Sequence, residues 1–174
     1  MVWRTSKEEF DPKCTVPTVK HGGGSVMCWE CFSSAGVGNL VFIDGNMSSE
    51  MCRDILERNL LESAKNLKMG NNWVFQYDND PTHKAAIVKN WLDRHHVERI
   101  KWPSFSPDMN PIEHLWDEIE RRMKKQQPKT VQRLRESLSR VWRGVEKEVL
   151  KKLVDSVPNR LNEVIRVKGY PTKY

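Results

Sequence analysis

Apolar residues come first in two short runs, residues 25–33 and 39–44, separated by the turn-forming stretch 34–38 with its two glycines. Runs of this length bounded by turn residues predict two strands joined as an antiparallel hairpin. Next, Met51, Ile55, Leu56, Leu60 and Ala64 recur at helical spacing. They predict an amphipathic helix from a cap at Ser48 or Ser49 to about residue 68, stopped at Gly70. Residues 73–77 read as a short buried strand, residues 84–93 as a helix and residues 97–102 as a further strand. A proline-punctuated loop then leads to Asn110-Pro111, an N-cap followed by proline at the first helical position. Ile112, Leu115, Trp116, Ile119 and Met123 continue that helix on one face. Three more helices are expected over 130–145, 146–156 and 158–167.

Strands alternating with helices and then helices alone predict an α/β domain, a mixed sheet flanked by helices with a helical C-terminus. The 174 residues suffice for one domain with its own core. No apolar run approaches the roughly 20 residues that span a bilayer. The first residues lack the apolar centre of a secretory signal, so an intracellular protein with reduced thiols is expected. The cysteines are Cys14, Cys28, Cys31 and Cys52. Cys28 and Cys31 form a CxxC, but a zinc site wants a second ligand pair and none follows. Two small core residues in a strand is the favoured reading.

Charge is segregated. Residues 1–120 hold 13 basic and 18 acidic residues, whereas residues 121–174 hold 16 basic and 5 acidic. A basic end beside an acidic front suits a polyanion-binding protein that holds cations elsewhere, and equally suits solvated helix faces. The glycine run 22–24 does not lead into the Gly-Lys-Ser/Thr end of a phosphate loop.

Asp78 stands where an apolar strand ends, the usual place for ligand sites in α/β sheets. Asp80, beside Pro81, reads as a turn residue. Glu113 falls in the first turn of its helix, where a carboxylate suits the helix dipole and where Asn110-x-x-Glu113 resembles a capping box. His83 is close enough to Asp78 to orient it or to meet a phosphate. His95, His96 and His114 form no His-x-x-x-His pair, and no nucleophile elbow exists.

Two segments carry a resemblance. One is Val74-Phe75-Gln76-Tyr77-Asp78-Asn79-Asp80-Pro81-Thr82-His83. The other is Trp102-Pro103-Ser104-Phe105-Ser106-Pro107-Asp108-Met109-Asn110-Pro111-Ile112-Glu113-His114-Leu115-Trp116. Together they resemble the mariner superfamily of cut-and-paste DNA transposases, most closely its Sleeping Beauty-like branch. The 34 residues between Asp78 and Glu113 match that branch's spacing. Residues 17–27 and 169–174 also look like family segments, so the resemblance covers essentially the whole chain.

The resemblance implies a ribonuclease-H-like fold. It implies a partial clamp-like loop over 1–24, a DDE catalytic core over 25–127 and a basic helical part of the same domain over 128–174. It implies metal-dependent DNA cleavage and strand transfer, with Asp78 and Glu113 as two of three carboxylates that bind two Mg²⁺ (or Mn²⁺) ions. Transposon-end and target DNA, a homodimer and the nucleus are the implied partners and compartment. His83, Arg121, Arg122, Lys124 and Lys125 are the expected DNA contacts. The family's first catalytic Asp precedes the segment matched here, and neither Asp11 nor Asp44 is placed to substitute. A fold truncated at its first strand and a catalytically inactive isolated chain are therefore expected, with a non-enzymatic DNA- or protein-binding remnant as the alternative. Glu30 stands where the family has glycine.

Overall fold

A computed structural model describes residues 25–103 and 106–170. The clamp-like loop expected over 1–24 lies outside the described residues. Strands β1 (Met27–Ser33) and β2 (Gly36–Ile43) pair antiparallel, from Met27 opposite Ile43 to Ser33 opposite Gly36. The predicted hairpin is present with a tighter turn. Only Ser34 and Ala35 lie outside the strands, and both nearby glycines belong to β2. At Gly38 the reason is close packing: an added Cβ would sit 2.5 Å from the Cys31 sulfur and 3.0 Å from the Ser63 side chain. The register shifts between Glu30 and Phe32, a bulge at Cys31 that re-aims the side chains around it.

Helix α1 (Ser49–Asn66) starts on the Ser48 side chain, which accepts a hydrogen bond from the Met51 amide. After it come β3 (Val74–Phe75), α2 (Ala86–Arg94) and β4 (Glu98–Arg99). β3 and β4 pair in parallel, the crossover between them being α2. Antiparallel and parallel pairing thus both occur, in two separate two-stranded ladders among the described residues. A 3₁₀ turn at Pro107–Met109 leads into α3 (Pro111–Lys124), and α4 (Val131–Arg143) and α5 (Lys147–Arg166) complete the chain.

Alternation along β2 explains the layering. Val41 and Ile43 face a core shared with Leu56 and Leu60 of α1 and Val88 and Leu92 of α2. Leu40 and Phe42 face a second core built from Leu115 and Ile119 of α3, Trp142 of α4 and Leu150 of α5. The hairpin is the middle layer between two helical layers, as its period-two pattern requires. Each such leucine or isoleucine contributes about 1.5–3 kcal/mol of burial. Cys31 packs toward the first core and Cys28 toward the second, so the two thiols of the CxxC lie on opposite faces.

One predicted break is absent. Residues 146–156 and 158–167 form the single helix α5, with Pro158 inside it. Proline removes one amide donor and crowds the preceding turn. Pro158 is exposed, while Leu150 and Arg160 on either side of it are buried, so packing holds the helix continuous.

Candidate active site

Asp78 follows β3 on the loop that turns toward α2. Its Oδ1 accepts from the Asp80 amide at 3.1 Å, closing a local turn. The same oxygen meets Nδ1 of His83 at 2.6 Å. His83 therefore orients Asp78, leaving Oδ2 without a hydrogen-bond partner among the described residues. Asp80 is the turn residue that its proline neighbour predicted. Its Oδ1 accepts from the Thr82 amide at 2.8 Å, and that backbone donor holds its carboxyl below the usual range. Asn79 donates to the Trp102 carbonyl at 2.8 Å, tying the loops after β3 and β4.

Glu113 lies exposed in the first turn of α3. The capping box suggested by Asn110-x-x-Glu113 does not form. The Asn110 amide is already bonded to the Pro107 carbonyl at 2.9 Å, so there is no donor for Glu113 to reach. The Glu113 carboxylate makes no hydrogen bond among the described residues and is available to a ligand.

One hydrogen bond links the elements that carry the two acids. Nε2 of Gln76, two residues before Asp78, donates to Oδ1 of Asn110 at 3.0 Å. That Asn110 oxygen also caps α3 by accepting from the Ile112 amide. The strand end that carries Asp78 is thereby fastened to the helix start that carries Glu113. Both line one cavity of about 550 Å³ together with His83 and Glu30.

Glu30, marked in the sequence only as standing where the family has glycine, also lines this site. Its Oε1 accepts from Trp116 Nε1 at 2.8 Å across 86 positions of sequence, and its Oε2 is buried without a partner. Burial raises its pKa from 4.5 to about 7, and the nearby Glu113 charge adds to the rise. Glu30 is buried and bonded to the indole, whereas Glu113 is exposed and unbonded among the described residues. No group of three or more His, Cys, Asp or Glu side chains able to hold a metal exists among the described residues. The cysteines follow the bland reading: burial pushes the Cys28 thiol up to about 12 and Cys31 to about 11.

Behind Glu113, Arg160 of α5 is buried at 6% exposure. It donates to the Asp108 carbonyl at 2.9 Å, to Ser156 Oγ at 2.8 Å and to His114 Nε2. His114 Nε2 also lies 3.1 Å from the Asp108 carbonyl oxygen, and its Nδ1 lies 3.8 Å from Asp117. This clamp steadies the turn from which α3 begins.

The basic residues at the far end of α3 are placed differently from one another. Arg122 pairs with Glu118 at 2.7 Å and Glu146 at 2.5 Å and donates to the Gly144 carbonyl, joining α3 to the α4–α5 turn. Arg121 pairs with Glu118 and Lys124 with Glu120, both mostly exposed, and Lys125 is exposed at the helix end. No helix among the described residues is long and apolar enough to cross a membrane.

Comparison with known proteins places this arrangement. The family described as DDE superfamily endonuclease matches residues 11–135. The Tcb1 transposase of Caenorhabditis briggsae is 45% identical over 165 residues, which are 95% of this chain and 60% of that protein. The Tc1 transposase of Caenorhabditis elegans is 42% identical over 173 residues, 99% of this chain and 63% of the relative. The chain thus spans about three-fifths of the length of these relatives. Among solved structures, the Mos1 transposase catalytic domain with raltegravir and Mg superposes with a TM-score of 0.77 at 17% identity, covering 85% of this chain and 77% of that one. A pre-cleavage Mos1 transpososome gives 0.81 at 15% identity, covering 99% and 53%. The fold is the ribonuclease-H-like one that the segments around Asp78 and Glu113 implied, and the chain belongs to the DDE superfamily endonucleases.

Proposed function

We propose that this chain is the catalytic region of a DNA transposase, cutting phosphodiester bonds and joining strands with divalent metal held by Asp78 and Glu113. The observation that carries the reading is the Gln76–Asn110 hydrogen bond, which brings a strand-end aspartate and a helix-start glutamate onto one cavity wall. The donor set fits the metal. Mg²⁺ is commonly bound through one or two carboxylates, with waters and substrate phosphates completing its shell. Asp78 offers Oδ2 and Glu113 its whole carboxylate. Bound there, a pair of such ions supplies activation of water or a 3′-hydroxyl and stabilisation of the displaced oxygen.

The chain's own residues contribute the rest. His83 fixes the Asp78 rotamer through a 2.6 Å contact. The N-terminus of α3 favours a phosphate beside Glu113. Arg121, Lys124 and Lys125 follow about 12–18 Å further along the helix axis, positioned to meet the DNA backbone. Arg122, held by two carboxylates, supports that surface from behind. Work on transposon-end and target DNA, as a homodimer in the nucleus, completes the reading. The Mos1 transposase paired-end complex with left transposon end is a structural parallel for such an assembly.

A second reading, a DNA-binding module without catalysis, is favoured by the absence of a three-ligand metal cluster among the described residues. One assay separates them: cleavage of duplex transposon-end DNA in Mg²⁺ or Mn²⁺. Cleavage that disappears in Asp78→Asn and in Glu113→Gln supports the catalytic reading. Because the isolated chain is expected not to cleave, Mn²⁺ binding decides where cleavage is absent: binding lost in Asp78→Asn and in Glu113→Gln supports the catalytic reading, and salt-dependent DNA binding with no Mn²⁺ binding retires it in favour of the second.

A further inference from the structure

Helix α4 divides its faces sharply. Leu138, Val141 and Trp142 are buried in the second core, while Arg133 and Arg140 stand exposed on the opposite side. Seven basic residues and one acidic residue fall between Lys124 and Arg143, an excess equal to the +6 of the whole chain. Beside the α3–α4 turn this basic face is concave. A hollow of about 500 Å³ is lined by Gln126, Gln127 and Lys129 of the turn and by Arg133, Ser137 and Arg140 of α4. It shares no lining residue with the cavity of Asp78 and Glu113.

The cations of the hollow are uncommitted. Four arginines elsewhere are each held by a carboxylate: Arg53 by Asp54, Arg99 by Asp93, Arg135 by Asp44 and Arg166 by Glu163. Lys129, Arg133 and Arg140 make no ion pair among the described residues. The one carboxylate of the lining, Glu136, accepts from the Gln132 side-chain amide at 2.8 Å.

We infer that this hollow is a second DNA contact, which holds the phosphate backbone of a duplex without regard to its sequence. The inference rests on the DNA-handling part of the proposed function and not on metal or catalysis. The lining selects the ligand. Its cations meet phosphate charge, and its glutamine amides and serine hydroxyl are donors that phosphate oxygens commonly accept from. No aromatic side chain lines it, so the bases of a single strand find no stacking surface. Pro128 is its one apolar lining residue, so it lacks the large apolar or aromatic anchor around which protein contacts are built. Arg133 and Arg140 are two helical turns apart, about 10 Å along the axis. That separation matches about three rises of 3.4 Å along a duplex.

The test uses the full 174-residue chain in EDTA and a labelled duplex of about 20 base pairs, with anisotropy followed over about 50–200 mM salt. The triple variant Lys129→Gln/Arg133→Gln/Arg140→Gln is expected to bind at least tenfold more weakly at the lowest salt. The slope of log affinity against log salt falls by about 2.7, or about 0.9 for each of three phosphates. A duplex of unrelated sequence gives the same losses. Arg133→Lys/Arg140→Lys, which keeps the charge, retains affinity within about threefold, and Glu136→Gln binds more tightly. The control Arg58→Gln/Lys89→Gln/Arg94→Gln removes three exposed cations from elsewhere on the surface and changes affinity by less than about threefold. Equal weakening by the control overturns the inference, because net charge alone then drives binding. Unchanged affinity in the triple variant overturns it, as does absence of duplex binding by the unaltered chain. It is likewise overturned by a single strand or a polyglutamate of equal charge that binds as tightly as the duplex. With no metal present, a failure of Asp78 and Glu113 to bind Mn²⁺ leaves these outcomes unaffected.

Discussion

Replacing Glu30 by glutamine removes one buried charge and leaves the shape and the Trp116 hydrogen bond in place. The folded protein holds the Glu30 carboxyl at about 7, against an ordinary value of 4.5. Between those pH values the folded chain keeps a proton that the unfolded chain has lost, so stability falls as pH rises through the window. At about 1.4 kcal/mol per tenfold difference in proton affinity, the full effect is about 3 kcal/mol above pH 7. The glutamine amide adds a cost of about 1–3 kcal/mol where Oε2 lacks a partner, but that cost does not change with pH. The assay is urea unfolding followed by tryptophan fluorescence, at half-unit steps from pH 4.5 to 8. Glu30→Gln gains on the unaltered protein by about 3 kcal/mol across that range. For a domain of this size the relative gain is about 6–12 °C in Tm. Titrating groups that do not interact with Glu30 are common to the two proteins and cancel in the difference, and the Cys28 and Cys31 thiols that do interact with it stay protonated throughout this range. A difference that stays constant from pH 4.5 to 8 refutes the burial of this carboxyl.

Three further outcomes follow from the packing. Leu115, fully buried in the second core, costs about 2–5 kcal/mol when cut to alanine, read as a lower urea midpoint at unchanged slope. Pro158→Ala restores a helix donor at an exposed position and stabilises by about 1–3 kcal/mol; a destabilised variant in thermal unfolding contradicts the continuous α5. Asn110→Ala removes both the α3 cap and the Gln76 acceptor, costing about 1–2 kcal/mol of stability. It also weakens Mn²⁺ binding although Asn110 is no ligand, and an unchanged Mn²⁺ affinity measured by electron paramagnetic resonance contradicts the positioning role.

Local signals made much of the fold legible. The apolar run at residues 39–44 marked a strand, whose two faces turn out to meet two different cores, and Asn110-Pro111 marked the start of α3 to the residue. The two acids were legible through their flanking segments, not through chemistry alone, since each also fits a turn or a cap. What sequence could not show were contacts between distant positions. Glu30 meets Trp116 only because β1 packs against α3, and no local pattern marks a buried carboxylate in a strand. Arg160 read as one more basic residue until α5 laid it beneath Asp108 and His114. The break expected at Pro158 failed because tertiary packing outweighed the local propensity. Gln76 lies inside one of the resemblance-bearing segments, but its role depends on Asn110, 34 positions away.

The central claim is that Asp78 and Glu113 hold the same ion. A double-mutant cycle on Mn²⁺ affinity, using Asp78→Asn, Glu113→Gln and the pair, tests it most directly. Shared ligation predicts at least a tenfold loss for each single variant, with the double variant little worse than either. Losses that multiply in the double variant, or an affinity that neither substitution changes, contradict it.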